Sequence, residues 1–591
     1  MSTTTRLLAA CLAVLTLTAS HAAAQTPRRR LPKADTSVQK ALDSGATSLR
    51  VIVRTSPECR TTVRQSLVSH GDTIVGDQLS ISAFTVVMHA TDAETLDANP
   101  CVKAVSDDAV VAAHAAPAKG GGGTGTAVVN VLRETLGLAS TTLTGAGVGI
   151  AVIDSGVLSK IDFEGRIVGS LNFLNGASGV VMATDAYGHG THVAGLMGST
   201  GAQSTGSQYK GVAPGVRLVS LVVLDKNGQG RTSDVINAIN WAVDHKAGMG
   251  IDIINLSLGH PIYEPAASDP LVQSVERAVR AGIVVVASAG NYGVNQQTGV
   301  AGYAGITTPG NAPSAITVGA FNTKGTVARG DDEVSPFSSK GPTWYDGFAK
   351  PDLVAPGHRL VSDTASTSTL YKTYTSLRVN SDYMTLSGSS MATAVTSGVA
   401  ALVIQANRVA SQNANPAHPS LTPNAVKAIL QFSAIRMKDP LGVEYDHLTQ
   451  GAGALNAAGA IDLAAAIDTS VAVGGFWRTT GVTFSTTIAG VTLPWAQQIV
   501  WGDQIVWGDT TAINQAAWAQ QIVWGDQVVW GDQIVWGDQI VWGDDQIVWG
   551  DQIVWGDNLV DFTNPSQVVW GDIYSTGTVL SNTDVWATVT F

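Results

Sequence analysis

Three short segments carry side chains that can do chemistry together. Asp154 closes the apolar run Gly149-Ile150-Ala151-Val152-Ile153 and is followed by Ser155-Gly156. His189 opens His189-Gly190-Thr191-His192-Val193-Ala194-Gly195, and Ser390 lies in Gly388-Ser389-Ser390-Met391-Ala392-Thr393. A hydroxyl becomes a nucleophile when an imidazole takes its proton, and a carboxylate must hold that imidazole in one tautomer and stabilise its charged form. Asp, then His, then Ser is one of the chain orders in which this triad occurs. Singly, each residue has a plainer reading: Asp154 as a turn cap, Ser389 or Ser390 as a helix N-cap. His192 reads as a structural histidine, because the His189/His192 pair lacks the glutamate of a HExxH site and a third ligand nearby.

The elements that must position these groups are legible in outline. Asp154 reads as the end of a buried strand, and functional groups of open α/β sheets gather at the carboxyl ends of strands. Ser390 precedes the apolar stretch Ala394–Ile404, read as a buried helix whose amino end offers N–H groups to an oxyanion. From about residue 127 to 468 apolar strands alternate with helical stretches, the pattern of a parallel sheet wrapped by helices. Within it Thr422 reads as an N-cap with Pro423 at the first helical position.

Upstream, the spacing predicts strand Leu49–Thr55, helix Glu58–His70, strands Asp72–Ile81 and Ala83–His89, helix Thr91–Asn99 and strand Val102–Ala112. This β-α-β-β-α-β order is the split βαβ, or ferredoxin-like, arrangement. It brings Cys59 and Cys101, at the starts of the first helix and last strand, to one end of the sheet, so a bridge between them is sterically reasonable. Pro117-Ala118-Lys119 and Gly120–Gly123 read as a flexible linker.

Together, AVIDSGV, HGTHVAG and GSSMAT resemble the three signature blocks of the subtilisin-like serine protease family. Supporting segments stand in the expected order: Gly211-Val212-Ala213-Pro214, Asn255-Leu256-Ser257-Leu258-Gly259, Ala287-Ser288-Ala289-Gly290-Asn291, Phe337-Ser338-Ser339-Lys340-Gly341-Pro342, Pro351-Asp352-Leu353-Val354-Ala355-Pro356-Gly357 and Gly451-Ala452-Gly453-Ala454-Leu455-Asn456. The resemblance covers roughly residues 140–466. It implies a serine endopeptidase in which Ser390 attacks, His189 moves the proton, Asp154 orients His189, and Asn291 joins the Ser390 N–H in the oxyanion hole. It implies substrate bound as an extended strand between Leu256-Ser257-Leu258-Gly259 and Gly228-Gln229-Gly230, with Ser288, Ala289 and Gly290 along the primary specificity pocket. Protein or peptide substrates follow, with no cofactor for catalysis; structural calcium is implied without assignable ligands. Two positions depart from the family pattern: Ala394 where proline is usual, and His260 where glycine is common. The N-terminal unit is similar to the family's inhibitory propeptides, which implies that residues near His114–Gly123 occupy the cleft and are cut on maturation; an ordinary accessory domain is the alternative.

Composition and targeting signals complete the reading. The 591 residues carry a formal charge of −12, which argues against a nucleic-acid partner. Arg6, the apolar run Leu7–Ala19 and Ala22-Ala23-Ala24 fit a signal peptide, and 13 apolar residues are too few to span a bilayer. Leu8-Ala9-Ala10-Cys11 offers a lipoprotein alternative, disfavoured because cleavage there leaves too little apolar core. From Trp495 to Phe591 there are 12 Asp, no Glu, Lys or Arg, and 12 of the 15 Trp. Trp-Gly-Asp occurs nine times there, at a six-residue period from Trp524 to Trp542. An even period keeps alternate residues on one strand face, so the tail reads as a β-rich repeat or a low-complexity spacer, with attachment to a surface or polymer as a second reading and calcium binding as a third. The expected organisation is therefore signal 1–24, propeptide domain 25–116, linker 117–126, catalytic α/β domain 127–468, connector 469–494 and repeat tail 495–591, in an exported chain. A catalytically silent surface-binding protein and an α/β-hydrolase esterase are the competing classes. The second is disfavoured because Ser390 is not in Gly-x-Ser-x-Gly and His189 precedes it.

Overall fold

A computed structural model describes residues 30–113, 130–294, 300–412, 418–478, 481–501, 504–507, 512 and 514. The expected signal peptide and linker, and most of the Trp-Gly-Asp tail, lie outside these residues.

The N-terminal unit opens with helix α1 (Thr36–Asp43), capped by the Asp35 carboxylate at the Val38 N–H. Strand β1 (Ser48–Thr55), helix α2 (Arg60–Ser69), strands β2 (Thr73–Gln78) and β3 (Ala83–His89), helix α3 (Asp92–Ala98) and strand β4 (Val102–Asp107) follow. The four strands form one antiparallel sheet in the order β2-β3-β1-β4. The side chains of Val51, Val53, Phe84 and Val86 pack with Val38, Val63, Leu67 and Leu96 in a core of its own. Cys59 and Cys101 are joined by a disulfide, their Cα atoms 5.8 Å apart.

The expected strand Val102–Ala112 is two strands. It breaks at the buried Asp108, whose carboxylate takes Arg50 Nε at 2.6 Å, the Ser233 N–H at 2.8 Å and Ser233 Oγ at 2.9 Å. Holding Asp108 against Ser233 turns the chain out of the N-terminal sheet. The following strand β5 (Val110–Ala113) runs into the large domain.

That domain is built on β6 (Gly149–Asp154), β7 (Ile167–Asn172), β8 (Arg217–Val222), β9 (Gln229–Arg231), β10 (Ile251–Leu256), β11 (Leu258–Pro261), β12 (Val284–Ser288), β13 (Ile316–Asn322) and β14 (Leu353–Pro356). Seven of these make the parallel run β14-β13-β12-β10-β6-β8-β7. Two short antiparallel strands, 333–334 and 179–180, complete a nine-stranded sheet. A parallel sheet covered on both faces needs apolar side chains on both, and β6 supplies them alternately. Ile150 and Val152 join the core under helices α4 (His189–Gly198) and α7 (Ser389–Gln412). Ala151 and Ile153 join the opposite core under α5 (Thr232–Asp244) and α6 (Pro270–Arg280). Helix α7 is long and apolar enough to cross a membrane, yet 94% of its apolar window is buried inside the domain. Thr422 caps α8 (Pro423–Phe432) by accepting the Ala425 N–H at 3.1 Å.

Packing continues past residue 468. Trp477, Trp495 and Ile499 belong to the same core as α7, α8 and α9 (Ala457–Ala465). Trp495 lies 5.7 Å from Phe484 and 6.4 Å from Phe432, ring centre to ring centre, and its Nε1 donates to Thr486 Oγ at 2.8 Å. The first two Gln-Ile-Val-Trp units, Gln498–Trp501 and Gln504–Trp507, pair as antiparallel strands.

Candidate active site

Asp154 is the last residue of β6 and His189 the first of α4; both are fully buried. His189 Nδ1 stands 2.8 and 2.9 Å from the two Asp154 carboxylate oxygens. Its Nε2, also buried, has no hydrogen-bonding partner among the described residues. Ser390 is the second residue of α7, and its Oγ donates to the Ser257 carbonyl at 2.9 Å. Ser257 sits between β10 and β11 and returns a bond from its own Oγ to the Ser390 carbonyl at 3.0 Å. Asn255 Nδ2 donates to that Ser257 Oγ at 2.9 Å, and Asn255 Oδ1 accepts from Ser397 Oγ at 2.9 Å. One chain of hydrogen bonds thus ties the end of β10 to the first turns of α7.

Asn291 stands three residues beyond the end of β12, and its Oδ1 accepts the Ser389 N–H at 2.9 Å. This bond fixes the amide beside the amino end of α7, where uncompensated N–H groups and the positive end of the helix dipole favour a developing negative charge. Gly290 adopts φ +106°, and a Cβ there would stand 2.8 Å from Ser339 Oγ. Its N–H reaches Ser389 Oγ at 3.2 Å. Ser288 and Ala289 are buried at the end of β12, the latter bonded to Val318 and Thr307.

Strand β5 decides what the cleft can hold. It lies antiparallel between β9 and β11: Val111 opposite Gly230, and Ala112 opposite both Gln229 and Gly259. Ala113 stands opposite Leu258 and donates its N–H to the Gly228 carbonyl at 3.1 Å. Gly228 has φ +74°, and a Cβ there would meet the Tyr187 ring at 2.4 Å. The two segments singled out from sequence therefore do face each other across one extended strand. Leu256 differs from expectation. It closes β10 between Ile153 and Ala287 in the central sheet, so the cleft edge starts after it.

Several residues that position the site carry no signature of their own. Asp185, four residues before His189, is fully buried and takes four bonds: Ser155 Oγ (2.9 Å) and the Gly188 N–H (2.7 Å) on Oδ1, the Thr191 N–H (2.8 Å) and Oγ (2.7 Å) on Oδ2. Burial pushes its carboxyl up, against these bonds. Ser155 Oγ in turn accepts the Gly190 N–H at 3.0 Å. The turn before α4 is thereby tied to the end of β6, and a Cβ on Gly190 would meet the Gly156 carbonyl at 2.1 Å. His192 is buried with Nε2 3.2 Å from the Leu360 and Met384 carbonyls. Burial, with the neighbouring His189, pushes it down to about 3, so it stands as a neutral structural group.

A parallel α/β sheet with an Asp–His pair at strand and helix ends and a serine at the head of a central helix defines a class of hydrolase scaffold. Its family is settled by comparison: the Subtilase family model matches residues 145–460, and the chain belongs to that family. It is 41% identical over 324 residues to serine protease AprX of Bacillus subtilis, covering 54% of this chain and 66% of that one. It is 35% identical over 295 residues to the extracellular serine proteinase of Thermus sp. Rt41A, covering 49% of this chain and 59% of that one. The matches thus span two thirds or less of these relatives. The crystal structure of fervidolysin from Fervidobacterium pennivorans shares the fold, with a TM-score of 0.53 at 21% identity over 70% of this chain and 61% of that one.

Proposed function

We propose that this chain is an exported subtilisin-like serine endopeptidase, made as a proenzyme whose N-terminal domain fills its own cleft. The observation that carries the reading is β5, bonded on both edges as a substrate strand would be and leading toward Ser257 and Ser390. Main-chain pairing of this kind gives affinity with little sequence choice, which suits general protein substrates.

In the proposed reaction a substrate strand takes the place of β5. Its own N–H groups compete for the Ser257 carbonyl, and Ser390 Oγ turns to His189 Nε2. Ser390 Oγ attacks the scissile carbonyl carbon as His189 takes the hydroxyl proton, with Asp154 stabilising the imidazolium. The Ser390 N–H and the Asn291 amide receive the oxyanion. His189 then gives its proton to the leaving amine, and water repeats the sequence on the acyl-enzyme. Ser288, Ala289 and Gly290 form the proposed wall of the primary pocket. The cut that frees the prodomain falls beyond Ala113, within 114–124. Export rests on the charged start, apolar run and Ala-x-Ala site of residues 1–24, calcium as a stabilising ion on the family resemblance, and a surface contact for the tail on its repeated Trp.

The test compares wild type with Ser390→Ala for casein digestion and intact mass. Wild type should digest casein and lose its prodomain. The variant should retain full length and lose activity by about 10⁴-fold or more. A wild type that stays whole and inert, with and without calcium, rejects the reading.

A further inference from the structure

The N-terminal domain holds a second cluster of chemistry-bearing groups that the peptidase reading does not use. Asp72 precedes β2, His89 ends β3, Asp92 begins α3 and His70 follows α2, so four chain turns meet at one end of the small sheet. Asp72 Oδ1 lies 2.8 Å from His89 Nδ1 and also accepts the His89 N–H at 2.9 Å. Asp92 Oδ1 lies 2.9 Å from His70 Nδ1, and its other oxygen 3.8 Å from His89 Nδ1. Ligand atoms of Asp72, His89 and Asp92 all fall within 4.8 Å of one another.

What separates this cluster from an ordinary pair of surface ion pairs is Asp72 Oδ2. The Asp72 side chain is 0% exposed, and Oδ2 has no hydrogen-bonding partner among the described residues. A buried carboxylate oxygen left unsatisfied is costly unless a cation or donor meets it. The two imidazoles, by contrast, are 54% and 58% exposed, so an ion can enter from solvent. Ligands held at about 2.0–2.2 Å around a tetrahedral ion stand roughly 3.4 Å apart, close to the spacings here. One imidazole and two carboxylates, with a fourth position open to water or to the exposed His70, suit zinc or a similar transition ion, whereas calcium takes six to eight oxygens.

We propose that Asp72, His89 and Asp92, with His70 at the rim, form a binding site for one divalent transition-metal ion of the zinc type in the N-terminal domain. The ion would tie the far end of α2 to β2, β3 and α3. The Cys59–Cys101 disulfide holds the near end of the same helix, so a small domain would be clamped at both ends. The proposal does not rest on the peptidase reading.

The test uses the full-length Ser390→Ala chain, stripped of metal and titrated with Zn²⁺ by calorimetry and with Co²⁺ by visible absorption. One equivalent of Zn²⁺ should bind with a Kd below about 10 µM, and Co²⁺ should give the intense visible bands of a tetrahedral site. His89→Ala and Asp92→Asn should each weaken binding at least tenfold, and His245→Ala, outside the cluster, should leave it unchanged. His89 is largely exposed, so its truncation should leave the fold intact by circular dichroism; if it does not, Asp92→Asn and His70→Ala decide. Absence of stoichiometric binding, or binding that these variants leave untouched, overturns the proposal.

Discussion

Asp185 shows at the scale of one residue how the site depends on a group that never meets substrate. Its two oxygens hold the Gly188 and Thr191 N–H groups and two hydroxyls, so the first turn of α4, and with it His189, is fixed relative to β6. In Asp185→Asn one acceptor becomes an amide NH₂ facing donors. Hydrogen bonds to a charged group are worth about 1.5–3 kcal/mol each, so kcat should fall about 10–100-fold while KM changes less than threefold. Active-site titration separates this from loss of folded enzyme, and a positioning role also displaces the pH profile of kcat/KM. An unchanged kcat with intact protein would remove Asp185 from the mechanism.

At the scale of an element, β5 is the part that, on the proposed reading, makes the N-terminal domain an inhibitor. Its hold on the cleft has two components, the main-chain bonds to β9 and β11 and the burial of Val111, which is 0% exposed within the core under α5. Full burial of a valine contributes about 1.5–3 kcal/mol, and a carboxylate in that place adds a desolvation cost. Val111→Asp should therefore weaken inhibition by the prodomain about 30-fold or more, seen as a shortened lag before casein digestion. A lag equal to wild type would mean that the strand's backbone alone holds the domain.

The whole molecule adds a pH dependence where its two domains meet. Asp35, beside the Thr36–Tyr263 contact, is pushed up to about 7, chiefly by burial, although the Val38 and Asp107 N–H groups pull it down. Glu264 across the interface is raised well above the ordinary carboxylate range, again by burial first and then by Asp35 and Asp269. Asp107 and Asp346 are raised as well, while Arg54, Arg231 and Asp108 complete the facing charges. On the proposed proenzyme reading, a carboxyl that docking raises holds a proton that a released domain would give up. Docking is thus fully favoured below the ordinary carboxylate range and weakens as pH rises through about 7. His260, lowered by burial, acts oppositely, but only as pH falls below its usual value. Because Asp35 also caps α1, part of its shift persists in the free domain. Prodomain release, followed as onset of casein digestion, should be favoured on the order of tenfold at pH 8.5 over pH 6.5; slower release at pH 8.5 would contradict this account. The same scale decides where the folded body ends. Trp495→Ala in the Ser390→Ala background should cost about 3–5 kcal/mol in urea unfolding, whereas a residue in a mere tail would cost nothing.

Local patterns in the chain were enough for the motif residues, the β-α-β-β-α-β order from residue 49 onward and the parallel sheet, but helix Thr36–Asp43 before it was not read. Strand periodicity and the short signature segments around Asp154, His189 and Ser390 are properties of neighbouring residues. The family resemblance grouped Gly228–Gly230 with Leu256–Gly259, and of the latter Leu258 and Gly259 pair with β5. Other features were not legible, because they depend on residues far apart in the chain meeting. Asp108 breaks a strand only because Ser233 waits for it 125 residues later, and Leu256 leaves the cleft because Ile153 and Ala287 flank it in the sheet. Trp495 looks like part of a repeat until Phe432 and Phe484 enclose it. Neighbouring residues sufficed to show which side chains can react and which elements carry them. Tertiary structure alone decided that Asp185 positions His189, that β5 enters the cleft and that Asp35 meets Glu264, because burial and hydrogen-bond partners are set by packing between distant segments.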